Sequence, residues 1–276
     1  MNSFKQKCIT LRKQDKSLLD IAKITGRPKT SVYFHIRDIP LSSSKLKKVY
    51  ELNLQHLTRV AQSRRGKSAR GFKTFDTWNT EKVSLVAHLL FDGEIKRYGC
   101  FYNNRNKILL KRVEGCMKEL YAFPPAWYYN RVTGVSRISY FNVALGAYVM
   151  QKADELLLEI EKMSTDTKRS FLQAFFDDEG CMDFRPKTNS RRIRGYQKDT
   201  STLKLVSSLL SDFGIESNFQ KPNEVVISGK ENLLKFKKEI NFSPGVFING
   251  NRTNSIWKKH LEKRVLLDRA ISSFKV

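Results

Sequence analysis

The sequence predicts an α+β chain in which a small all-α helix-turn-helix is followed by two tandem αββαββα-like repeats. Three observations lead there. An apolar helical stretch ending in acid-glycine occurs twice, with the acids 87 residues apart, at Asp92 and Glu179. Each copy is followed by matching hairpin and helix patterns. The first forty residues carry two short helical patterns separated by a glycine turn.

Composition narrows the function classes. The chain has 276 residues with 40% apolar and 28% charged side chains, a globular balance with enough length for a sizeable core. Its net charge is +24, which asks for a polyanion, and phosphate backbones are the usual one. The surplus is uneven: residues 1–75 hold 18 basic and four acidic side chains. No apolar run reaches the ~18 residues of a membrane span; the longest apolar stretch is Tyr140–Met150. The N-terminal residues lack the apolar centre of a signal peptide. Membrane integration and secretion are therefore not expected, and a cytoplasmic, nucleoid-associated location is. Cys8, Cys100, Cys116 and Cys181 form no Cys-x-x-Cys pair and no zinc spacing, so they read as reduced thiols.

Residues 1–40 are read as the helix-turn-helix. Leu18, Leu19, Ile21, Ala22 and Ile24 have helical spacing and stop at Gly26. After Arg27-Pro28, Thr30 or Ser31 can open a second helix with Val32 and Ile36 on one side. Thr30, Ser31, Tyr33, His35 and Arg37 are the candidate DNA contacts of that helix. Residues 41–78 read as a basic linker and helix, with a run from Arg59 to Lys73 that serves as a solvated linker or as an arm on phosphates.

The repeats occupy about 79–160 and 161–276. Leu85–Gly93 and Leu172–Gly180 align with Leu first, Ala third, acid eighth and Gly ninth. Gly93 and Gly180 are expected as left-handed helix caps. Hairpins are expected at 94–102 and 182–196, then helices opening at Leu110 and Leu203, then hairpins at 127–141 and 218–226. Residues 255–274 read as a closing amphipathic basic helix. Ala87 and Ala174 would let the two motif helices approach closely. Side by side, those helices would bring Asp92 and Glu179 together, and each carboxylate would raise the other's pKa unless a cation lay between them. An oxygen-preferring cation such as Mg²⁺ meets that need and can serve phosphodiester hydrolysis.

The motif pair resembles the LAGLIDADG homing endonucleases in their single-chain, two-motif form, over about residues 80–270, with 171–180 the closer match. The run Arg191-Arg192-Ile193-Arg194-Gly195-Tyr196-Gln197-Lys198 is similar to the family strand that ends in Gln-Lys. The resemblance implies a pseudo-symmetric saddle of two antiparallel sheets on duplex DNA, working as a monomer and cutting both strands with Mg²⁺ or Mn²⁺. It implies Asp92 and Glu179 as metal-binding acids. It also implies Gln197 and Lys198 as the polar pair, with the Gln ordering water, Asn104 and Arg105 as the equivalent pair of the first repeat, and Arg252 as the basic residue that assists catalysis in the second. Arg191, Arg192 and Arg194 become DNA contacts, with specificity read in the major groove by the sheets. The first motif departs from the family at His88, Leu90 and Phe91. His88 reads as a helix-packing residue. Asp177 and Asp178 are left outside the catalytic set. Two other functions stay open: a DNA-binding regulator without cleavage, and a maturase that binds structured RNA.

Overall fold

The computed structural model describes residues 3–64, 70–220, 222–250 and 256–274. The chain divides into two compact units, Met1–Ala69 and Arg70–Val276.

The first unit is helical: α1 (Ser3–Lys13), α2 (Leu18–Thr25), α3 (Lys29–Ile36) and α4 (Ser43–Arg64). Ser17 and Asp20 close a capping box at the start of α2, each side chain accepting from the other's backbone N–H. Gly26 ends α2 in the left-handed conformation at φ 64°. Pro28 stands before α3, where its missing N–H costs nothing. Cys8, Ile21, Val32 and Ile36 form the core, with Phe4, Leu11, Leu18 and Ala22 against it.

The second unit holds the two repeats. The first runs α5 (Thr80–Phe91), β1 (Gly93–Lys96), β2 (Gly99–Asn104), α6 (Lys107–Leu120), β3 (Ala126–Asn130), β4 (Val135–Phe141) and α7 (Val143–Glu159). The second runs α8 (Thr165–Asp178), β5 (Gly180–Arg185), β6 (Ser190–Tyr196), α9 (Thr200–Asp212), β7 (Asn218–Gln220), β8 (Glu224–Ser228) and α10 (Lys230–Glu239). Both sheets are antiparallel with the same strand order, β1-β2-β4-β3 and β5-β6-β8-β7. All four expected hairpins form. One core extends through both repeats, from Val83 and Leu89 on α5 to Phe175 on α8 and Leu266 beyond α10.

Three expectations change. Gly93 and Gly180 are not left-handed caps; neither has a positive φ, and each opens a strand directly. Glycine is needed for closeness instead. A Cβ on Gly93 would lie 2.3 Å from the Leu89 carbonyl oxygen, and one on Gly180 would lie 2.4 Å from that of Phe176. Residues 70–78 of the expected linker belong to the second unit. The Lys73 N–H donates to the Leu120 carbonyl, the Tyr148 hydroxyl bonds both backbone groups of Phe75, and Phe72, Phe75 and Trp78 pack on the core. The closing helix is shorter than expected: α11 spans Lys263–Ser272. The residues before it pair instead with 246–248, through a Phe247–Glu262 bridge and an Ile248 N–H to Leu261 carbonyl bond.

Candidate functional site

α5 and α8 pack against one another, with Ala87 and Ala174 both buried. Each begins with a side-chain cap: Asn79 accepts from the Lys82 N–H, and Ser164 from that of Thr167. Each ends on its acid. Asp92 and Glu179 sit at the C-caps, with φ −92° and −98°. Their backbones are held alike. The Asp92 carbonyl accepts from the Asn103 N–H at 3.2 Å, and the Glu179 carbonyl from the Tyr196 N–H at 3.2 Å. Each acid is therefore fixed where a motif helix meets the second strand of its own sheet.

The two acids line a common cleft of about 1060 Å³ together with Asn104, Arg105, Asp178 and Lys263. Burial pushes the Asp92 carboxyl up to about 8, with further contributions from Asp178 and Glu179. Burial and then Asp178 push Glu179 up to about 7. Both sit at helix C-termini, where the backbone dipole also opposes negative charge. Lys263 works against this on both acids. It is buried, and its ammonium donates to the carbonyls of Phe176 (3.0 Å) and Asp177 (2.7 Å), closing the last turn of α8. Burial in turn lowers its own pKa.

Asp178, set aside on sequence grounds, is at the centre of the site. Its side chain is fully buried, with Oδ2 2.8 Å from Nδ1 of His88. Its Oδ1 accepts from the Tyr102 hydroxyl (2.6 Å) and the Asn104 amide (3.3 Å). The same Asn104 amide donates to Asp92 at 2.7 Å. A continuous polar chain thus runs from His88 to Asp92. His88 packs in the helix interface as expected, and its partner is 90 residues away. The pseudo-symmetric place is aromatic. Phe91 meets Phe171 and Phe175 edge to face, at 5.4 and 5.1 Å. Strand register pairs Gly93 with Tyr102 and Gly180 with Gly195. Gly195 therefore stands where the first repeat has Tyr102, and a Cβ on it would lie 2.4 Å from the Phe175 ring.

The same register sets Asn104 and Gln197 at equivalent places, two residues beyond Tyr102 and Gly195. Their side chains differ. Asn104 holds Asp92, whereas the Gln197 amide oxygen accepts from the Lys198 N–H at 2.7 Å. Lys198 is exposed. Arg105 lines the cleft, its Nε donating to the Thr133 carbonyl. Arg252 lies outside the described residues. Strand alternation separates the three arginines of β6. Arg192 and Arg194 stand on the face turned away from the helices. Arg191 points the other way, donating to the Ser273 hydroxyl (2.6 Å) and carbonyl (2.8 Å) at the end of α11 and stacking on Phe274. Its expected DNA contact gives way to a structural tie. In the first unit Thr30, Ser31, Tyr33 and Arg37 are exposed. His35 instead packs edge-on against Phe4 at 5.4 Å.

Sequence reasoning missed Lys263 and the Asp178 network. Lys263 had a signal: it shares one helical stripe with Leu266, Leu267 and Ala270, so a charge stood on the buried face. Asp178 had a weaker one, being the motif position that matches Phe91 of the first repeat.

Residues 166–241 match the family model of the LAGLIDADG-like domain. That segment is the body of the second repeat. No curated protein matches the chain by sequence. Among solved structures, variants of the homing endonuclease I-DmoI are 17% identical, with a TM-score of 0.45 over 60% of this chain and 96% of theirs. The N-terminal LAGLIDADG domain of DUF199/WhiA is 16% identical, with a TM-score of 0.45 over 62% of this chain and 88% of its own. Full-length DUF199/WhiA from Thermatoga maritima is 16% identical, with a TM-score of 0.48 over 74% of this chain and 64% of its own.

Proposed function

We propose, for a chain whose second repeat matches the LAGLIDADG-like domain model, that it is a divalent-metal-dependent endonuclease cutting both strands of a specific duplex DNA. The observation that carries this reading is the pair Asp92 and Glu179. The fold sets two desolvated carboxylates at the ends of crossing helices and raises both pKa values, an arrangement that disfavours two negative charges with no cation near. Their donor set fits a hard cation, since all the side-chain donors are oxygens. Among the described residues no group of three or more His, Cys, Asp or Glu side chains gathers as a metal site. Asp92 and Glu179 would hold Mg²⁺ or Mn²⁺, with the remaining ligands supplied by water and the phosphodiester.

When bound, the metal supplies Lewis acidity and neutralises charge building on the phosphate. The protein's own groups do the rest. Asn104 fixes the Asp92 carboxylate through its amide. Lys263 offsets the negative charge that α8 and its three consecutive acids collect at one end. Arg105 brings a cation to the cleft wall beside Asp92, where an in-coming phosphate would lie. Gln197 and Lys198, at the matching strand end, order water in the second half once the amide leaves the Lys198 N–H. Exposed Lys29, Thr30, Ser31, Tyr33 and Arg37 of the helix-turn-helix add a DNA contact outside the cleft.

The test is a cleavage assay on the DNA that flanks the gene, or on a random duplex library, with Mg²⁺. Glu179→Gln should lower cleavage by about 10²–10³-fold, the usual loss for one preorganised electrostatic group. Duplex binding should stay within about threefold. Equal cleavage by the variant would remove Glu179 from the chemistry. Selective retention of duplex without cutting would favour a regulator on this fold, and retention of structured RNA alone would favour a maturase.

A further inference from the structure

The face of the second sheet turned away from the helices carries an unusual charge cluster. Asp183 of β5 stands among Arg185, Arg192 and Arg194, and Glu224 of β8 joins from the next strand. The Arg185 Nε donates to Asp183 Oδ1 at 2.8 Å. Arg192 and Arg194 approach Asp183 Oδ2 at 3.5 and 3.6 Å, and Arg194 Nη1 donates to Glu224 at 3.2 Å. The Asp183 side chain is only 8% exposed while that of Arg185 is 46% exposed. Asp183, Arg185, Arg194 and Glu224 line the same cleft as Asp92 and Glu179.

Two acids here work against simple phosphate binding. A surface that only holds a DNA backbone gains from free cations and loses from any carboxylate among them. Asp183 is also too buried to touch a base. Its geometry suits another task, which is to aim guanidinium groups. Arg185 is gripped at Nε, and among the described residues its two terminal nitrogens make no hydrogen bond, which leaves them as a free fork. A fork held this way matches the O6 and N7 acceptors that guanine presents in the major groove. The matching face of the first sheet is built differently. There Arg137 lies over the Phe101 ring at 4.3 Å, and its Nη1 sits 3.5 Å from Glu94.

We infer that Asp183 is a positioning residue that aims Arg185 to read a guanine in the half-site under the second repeat. This rests on the reading of the chain as a specific duplex-DNA protein.

The experiment is selection of bound duplexes from a random library by the full chain in a chelator, so that binding is read without cutting. Three variants run alongside: Arg185→Gln, Arg185→Lys and Asp183→Asn, each checked for an unchanged melting temperature. The wild type should yield a site with a guanine fixed at one position of one half. Arg185→Lys keeps the charge but loses the fork, and should lower guanine discrimination at one position about tenfold or more with little change in salt dependence. Arg185→Gln should lose the same preference and also flatten the salt dependence. Asp183→Asn should bind random duplex as tightly as wild type or tighter, with a weaker guanine preference, an outcome that simple loss of structure would not produce. A selected site whose base preferences survive both Arg185→Lys and Asp183→Asn overturns the inference while leaving the DNA reading intact. Retention of no duplex at all overturns both.

Discussion

The two repeats share one topology and one backbone plan, yet they meet at the pseudo-two-fold through opposite chemistry. On one side His88, Asp178 and Tyr102 form a buried polar cell. On the other, Phe175 and Phe91 form an aromatic cell roofed by Gly195. The volumes compensate: the smaller His88 ring is matched with Tyr102, and the larger Phe175 with Gly195. Close helix crossing therefore needs complementary shape rather than one fixed set of small residues. It also makes the acids unequal. Asp92 is tied through Asn104 into the polar cell, whereas no hydrogen bond from Gln197 reaches Glu179.

Breaking the polar cell should have the largest effect on stability. Asp178→Ala leaves His88 Nδ1 and the Tyr102 hydroxyl buried without their partner, and each stranded buried polar group costs about 1–3 kcal/mol. A melting temperature lowered by roughly 10 °C is expected. A drop of only a degree or two would mean that the cell contributes little and that the repeats are closer to equivalent than their chemistry suggests.

The aromatic cell can be strained from the other side. Gly195→Ala drives a methyl into the Phe175 ring and should cost about 1–3 kcal/mol. Phe175→Leu, introduced with it, should recover part of that loss in urea unfolding, whereas no recovery would place the strain elsewhere.

The pH response sharpens the comparison of the acids themselves. Asp92 and Glu179 are held at about 8 and 7 in the folded chain, and unfolded carboxyls titrate near ~4. Between those values the folded state keeps protons that the unfolded state has released, so stability falls as pH rises from about 4 towards 8. In metal-free buffer the melting temperature should therefore decline from pH 5 to pH 8. Asp92→Asn should remove more of that slope than Glu179→Gln, in line with its larger displacement. Equal slopes in all three proteins would show that neither acid is desolvated as described.

Much of this architecture was legible in the amino-acid order because it follows from local periodicity. The repeated Leu–Ala–acid–Gly spacing, the alternation in the hairpins and the Gly26 turn are all short-range patterns. Asp92 and Glu179 were legible for the same reason, as the ends of two similar helices. The role of Gly93 and Gly180 is not legible locally, because a glycine after a helix usually signals a positive φ, while here it signals a carbonyl too close for a Cβ.

Local pattern is enough to place the two repeats, the acids at their helix ends and the basic balance that calls for a polyanion. Which charges lie inside depends on packing between distant segments. His88 finds Asp178 across the helix interface, Lys263 returns from the last helix to close α8, and Asp183 gathers three arginines that strand alternation alone would leave as a row. The physical reason is common to all three. A buried charge persists only with a partner, and that partner comes from whichever distant segment the packing brings within hydrogen-bond reach.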